Sequence, residues 1–157
     1  MLKDLLAHVP QVGRLEWIGR APSRRAELEQ LESVELLAGT GLAGEHHANS
    51  GRSKRQVTLI QHEHLPVIAA LTGRADLSPA VLRRNLSVSG INLLALTGRR
   101  FRIGAALLEA TGPCAPCSRM DEQLGPGGFQ AMRGHGGITA IVLEPATIHL
   151  GDSVATA

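Results

Sequence analysis

At 157 residues the chain falls within the range of one folded domain, about 100–200 residues, and is long enough to bury a core without covalent staples. A hydrophobic fraction of 43% with only 2% aromatics means that core is built from Leu, Val, Ile and Ala, and stacking platforms for single-stranded nucleic acid are scarce. A formal charge of +2, scattered among acids, does not call for a polyanionic partner.

Short basic clusters occur at Arg24-Arg25, residues 52–55, Arg83-Arg84 and Arg99-Arg100, each compatible with a solvated surface or with a held phosphate. The first residues, Met1-Leu2-Lys3-Asp4-Leu5-Leu6, place an acid early and lack the pattern of a secretory signal. No apolar run approaches the roughly 18 residues of a membrane span. These features predict a cytoplasmic protein with neither a nucleic-acid nor a membrane partner.

In chain order, residues 9–19 mix β-branched residues with Gly and meet Ala21-Pro22-Ser23, which predicts a strand and a turn. Residues 29–38 alternate and predict a second strand, broken by Gly39-Thr40-Gly41. The glycines of residues 39–44 suit a tight loop approaching a ligand, or a plain turn. Residues 56–60 predict a buried strand; residues 61–71 change to helical spacing, with Pro66 tolerated only in the first turn. Ser78-Pro79 predicts the start of a short helix ending near Arg84-Asn85.

Strands are expected at residues 86–89, 100–103 and 105–111, the last ended by Gly112-Pro113. Short helices are expected at residues 118–124 and 129–133 around Gly125-Pro126-Gly127-Gly128, then a strand at 138–143 and a last strand with a turn in it over 147–154. Many short strands without regular helix alternation predict a mainly β chain, a barrel or sandwich with short inserted helices.

Two cysteines three positions apart, Cys114-Ala115-Pro116-Cys117, cannot staple distant segments. A C-x-x-C leaves open a reactive or ligating thiol, a redox pair, or inert small residues. Cys117 is expected where loop becomes helix, beside Arg119, a setting that favours the nucleophilic and metal-ligating thiolate. The pairs His46-His47 and His62/His64 match no standard zinc spacing and fit hydrogen-bonded surface positions better. Arg84-Asn85 at a helix-to-strand junction and Arg55 just before a strand offer planar forks for phosphate, with an amide that reads a heterocycle edge or holds a loop.

From residue 9 to residue 154 the chain resembles the MOSC family, named for the C-terminal domain of molybdenum-cofactor sulfurases. The resemblance rests on elements in family order. They are Gly41-Leu42-Ala43-Gly44-Glu45-His46, Arg55-Gln56-Val57-Thr58-Leu59-Ile60, Arg83-Arg84-Asn85-Leu86-Ser87-Val88-Ser89-Gly90 and Arg100-Phe101-Arg102-Ile103-Gly104. Pro116-Cys117-Ser118-Arg119-Met120 and Ile148-His149-Leu150-Gly151-Asp152 complete the series. It implies a single domain over residues 1–157 with a MOSC-type β-barrel, and makes Cys117 the family cysteine. Glu45 stands where the family usually has Asp, and Cys114 lies outside the family pattern, where it would permit a disulfide masking Cys117.

The resemblance further implies a molybdenum cofactor, a pterin, with Cys117 as metal ligand and catalytic residue and Arg84, Asn85, Arg119, Arg55, Gly44 and His46 around it. The expected function is reduction of small N-hydroxylated substrates, with electrons from a separate redox partner, or handling of cofactor sulfur. A sulfur carrier, taking a persulfide on Cys117 from a cysteine desulfurase without pterin, is the alternative.

Overall fold

A computed structural model describes residues 1–46 and 53–157. His47 and Arg52, each part of a cluster noted above, lie outside the described residues. The strands are β1 (Gly13–Arg20), β2 (Glu29–Leu31), β3 (Ser33–Leu37), β4 (Gly41–Leu42), β5 (Val57–Gln61) and β6 (Leu86–Ser89). They continue as β7 (Arg100–Ile103), β8 (Ala106–Pro113), β9 (Ile138–Glu144), β10 (Ala146–His149) and β11 (Ser153–Thr156). The helices are α1 (Leu2–Ala7), α2 (His64–Leu71), α3 (Arg119–Leu124) and α4 (Gly128–Met132), with a 3-10 turn at Leu93–Leu96.

Seven strands close into a barrel in the order β1, β6, β5, β9, β8, β7, β11, and the ring shuts where Gly13 and Arg14 of β1 pair with Val154 and Ser153 of β11. Closure removes the unpaired strand edges that invite aggregation. Short β2 adds to β1 from outside, and β10, β3 and β4 form a second small sheet. Among the described residues only β5 and β6 run parallel within the barrel, so the chain between them must cross over, and α2 lies in that crossover.

The two faces of β5 explain its continuous burial. Val57 and Leu59 point into the barrel core with Leu15, Ile18, Leu86 and Phe101. Ile60, one residue out of phase, packs outside the barrel in a second core with Leu65, Ile68, Leu82, Met120, Leu124 and Met132. The helices on this side therefore cover one face of β5, and Thr58 on the same outward face is left for polar work. In β1 the register slips between Leu15 and Trp17 opposite β6, which lets Leu15, Trp17 and Ile18 all be buried.

Several expectations are corrected. Residues 78–83 do not form a helix: Ser78 Oγ accepts from Ala80 N–H as a cap would, but successive three-residue turns follow, and Arg83 ends them at φ 57°. The left-handed backbone at Arg83 stops the turns from continuing, and burial of Leu82 holds the segment. The strand over residues 29–38 is divided at Glu32 between β2, which pairs with β1, and β3 of the small sheet, whereas the turn expected within the last strand lies between β10 and β11. β8 runs on through Gly112 and Pro113, which pair with Thr139 and Ile138 beyond a bulge. The N-terminal helix α1, which buries no residue, was not expected.

Candidate functional site

Outside the barrel, where the start of β6 meets β5, a cavity of about 570 Å³ opens between the second core and the loop before β5. This volume is ordinary for a small-molecule site. Its floor is a polar knot. Asn85 Oδ1 accepts from the backbone N–H of Thr58 (3.1 Å) and from its hydroxyl (3.2 Å), while Thr58 Oγ1 accepts from Asn85 N–H at 2.9 Å. Asn85 Nδ2 donates to Gly19 O at 3.2 Å and to Glu45 Oε2 at 3.3 Å. Both ends of the amide are thus committed to protein groups: of the two roles weighed for Asn85, the geometry displays loop-holding.

Glu45 is buried in the cavity wall, its Oε2 also accepting from Ala21 N–H at 2.7 Å. His46 Nδ1 lies 3.2 Å from both Glu45 Oε1 and Ala21 O. Gly44 does not line the cavity. It shapes the approach: at φ 82°, a conformation that favours glycine, it turns the chain so that Glu45 and His46 face inward.

Burial raises the Glu45 carboxyl above its ordinary value of 4.5, against the opposing pull of Ala21 N–H, His46, Asn85 and Arg83. The folded protein therefore keeps this proton to higher pH than the unfolded chain; the associated stability is complete below 4.5 and is lost as the pH rises through the folded value. Replacing Glu45 by Gln removes the titration. In denaturant melts taken across pH, Glu45→Gln should gain on the wild type as the pH climbs above 4.5 and then hold a constant offset. A difference that does not change with pH contradicts the assignment.

Five arginines line the same space, Arg24, Arg55, Arg83, Arg84 and Arg119, against the single carboxylate of Glu45. Arg84 is the decisive one, at 3% exposure. Its Nε donates to Gly136 O (2.9 Å) and Nη1 to Leu82 O (3.0 Å), whereas Nη2 is buried with no hydrogen-bond partner among the described residues. Gly136 is required for this, because a Cβ there would run into Cys114 O. Burial lowers the Arg84 pKa, opposed by the neighbouring Cys114 and Cys117 thiols and reinforced by Arg55. A buried cation without a carboxylate partner is costly, and an anionic ligand removes that cost.

Cys117 closes the cavity from the segment between β8 and α3, two residues before the helix begins, as expected. Both cysteines are free thiols, Cys117 exposed and Cys114 buried. The structure thus gathers Cys117, Arg84, Asn85, Arg119, Arg55 and His46 around one space and adds Arg24 and Arg83, whose doublets the sequence left open between a solvated surface and a held phosphate. His62 Nδ1 bonds Ser87 Oγ at 2.9 Å, His64 packs against His135, and among the described residues no three of His, Cys, Asp or Glu converge on a metal position.

The profile of the MOSC domain matches residues 44–155, and so spans the loop carrying Glu45, the arginine doublet and Cys117. The chain belongs to the MOSC domain family. Crystal structures of similar fold include the YuaD protein from Bacillus subtilis, 21% identical with a TM-score of 0.78 over 94% of this chain and 97% of that one. YiiM from Escherichia coli is 20% identical, with a TM-score of 0.71 over 92% and 69% of the two chains. YiiM from Geobacillus stearothermophilus is 17% identical, with a TM-score of 0.69 over 94% and 75%. At these identities the likeness is one of fold. No curated protein sequence matches the chain. Among the described residues of this MOSC protein, no helix is long and apolar enough to cross a membrane.

Proposed function

We propose that the cationic cavity holds a molybdenum-bearing pterin cofactor through its phosphate, with the Cys117 thiolate as protein ligand to the metal, and that the protein reduces small N-hydroxylated compounds there. The observation that carries this reading is Arg84, a buried guanidinium with one unpartnered nitrogen in a cavity that also presents a thiol. The donor set fits the group: planar arginine forks suit a phosphate, and a soft thiolate suits molybdenum. When bound, such a cofactor supplies a two-electron couple.

The protein residues then have distinct tasks. Arg84, Arg119 and Arg55 hold the anion, Gly44 aims the loop, and Asn85 fixes the carboxyl of Glu45 in the wall. Converting R–NH–OH to R–NH2 and water consumes two electrons and two protons. Glu45, whose carboxyl keeps its proton beyond the usual range, is an acid group in the wall of the cavity that Cys117 also lines. Electrons come from a separate redox partner. Two free cysteines suit a reducing compartment, and we place the activity in the cytoplasm.

The test is reduction of a hydroxylamine or N-hydroxylated base by protein from a host competent in molybdenum-cofactor synthesis, with a chemical electron donor. Wild type should turn over, and Cys117→Ser should lose at least about 100-fold, a loss typical of removing one essential group. Equal rates would refute the proposal. The exposure of Cys117 favours a second reading, in which the thiol carries a sulfane sulfur delivered by a cysteine desulfurase. A sulfur adduct on Cys117 after incubation with desulfurase and cysteine, in protein devoid of pterin, would select it.

A further inference from the structure

A second cavity, of about 340 Å³, shares no lining residue with the cationic one. Leu93, Leu94, Pro113, Pro116 and Ile138 supply apolar walls, and the peptide strip of Gly134, Gly136 and Gly137 leaves part of the surface without side chains. Most of its polar groups are spent. Gln61 donates to Glu63 Oε1 and Ile91 O (both 2.9 Å) and accepts from Leu93 N–H (2.9 Å), and Asn92 Oδ1 accepts from Leu94 N–H (3.1 Å). Arg133 is exposed and tied to Gln130.

His64 is different. Among the described residues neither of its ring nitrogens is hydrogen-bonded, and its ring meets His135 edge-on, with centroids 5.0 Å apart and planes at 81°. Behind it, His135 Nδ1 is buried without a partner. Burial lowers the His64 pKa, and His135 lowers it further against the opposing charge of Glu63, so the imidazole is neutral and offers one donor and one acceptor. The lining contains no carboxylate, and apolar walls do not repay the desolvation of an ion. The volume is at the lower end for small-molecule sites.

We propose that this cavity is a second ligand site, independent of the anion-binding one, which takes an uncharged aromatic molecule of one or two fused rings with a hydrogen-bonding edge turned to His64. Flat rings match the walls of proline and leucine and meet an imidazole edge or face favourably. The site stands apart from the cofactor reading and survives its failure.

Indole is the probe, titrated into the full chain and followed by backbone amide NMR. Saturable one-to-one shifts are expected at Leu93, Leu94, Gly134 and Ile138. His64→Phe should weaken indole by about tenfold, the effect of one hydrogen bond, while Arg119→Ala leaves it unchanged. Should His64→Phe fail to fold, 1-methylindole on the wild type makes the same comparison, since it lacks the N–H and should bind about tenfold more weakly. Absence of saturable shifts, shifts centred on Arg84, Asn85 and Arg119, or equal affinities for indole and 1-methylindole would overturn the proposal.

Discussion

Asn85→Ala should destabilise the fold by about 3 kcal/mol or more, a large fraction of the stability of a domain this size. The change strips the Asn85 side-chain bonds from the backbone N–H of Thr58, from its hydroxyl, from Gly19 O and from Glu45 Oε2 at once, although Oε2 keeps Ala21 N–H and the Thr58 hydroxyl keeps the backbone N–H of residue 85. Each buried polar group left unsatisfied costs about 1–3 kcal/mol. The measurement is a urea melt at neutral pH, read for a shift in midpoint at constant slope. Asn85→Asp is the sharper control: it keeps the shape but sets a second carboxylate against Glu45 Oε2 and loses the donor to Gly19. It should be no more stable than the alanine variant. A midpoint within experimental error of wild type for either variant would mean that the knot does not hold β5, β6 and the Glu45 loop together.

Arg84→Lys should weaken anion binding in the cationic cavity by about 10–100-fold, as a buried charged hydrogen bond is worth roughly 1.5–3 kcal/mol. Lysine preserves the charge but, with a single nitrogen, cannot bond both Gly136 O and Leu82 O and still keep a donor in reserve, whereas the arginine fork has Nη2 without a hydrogen-bond partner among the described residues. Pyrophosphate binding by calorimetry measures it, at fixed and low salt because the remaining arginines act partly through screened charge. Arg24→Ala, at an exposed position on the rim, should cost far less. If Arg84→Lys binds as wild type while Arg119→Ala does not, the anion subsite belongs to α3 instead.

The barrel was legible because its strands are short apolar runs that must be buried: β5, β6 and β9 were placed within a residue or two. The division of residues 29–38 was not legible, since alternation continues through Glu32 and only the pairing partners change there. The short helix expected at Ser78 had a good cap, but the chain turns left-handed at Arg83 and ends it. At the site, Cys117 and the Arg84-Asn85 pair were readable from their loop positions and from the family resemblance. Arg24 and Arg83 were not, because a doublet of arginines looks the same in sequence whether it faces solvent or a cavity. The only local signal at Arg83 is its left-handed backbone, which sequence does not display. Nor does any pattern announce the apolar cavity, whose walls come from the turn after β6, the end of β8 and the start of β9.

The most direct measurement is the molybdenum and pterin content of protein purified from a host competent in cofactor synthesis, comparing wild type, Cys117→Ser and Arg84→Lys. Near-stoichiometric metal and pterin in the wild type, metal lost from Cys117→Ser, and pterin reduced in Arg84→Lys is the result predicted for a cofactor held by thiolate and buried guanidinium together. Wild-type protein that retains neither metal nor pterin would contradict the cofactor assignment and leave Cys117 to sulfur transfer.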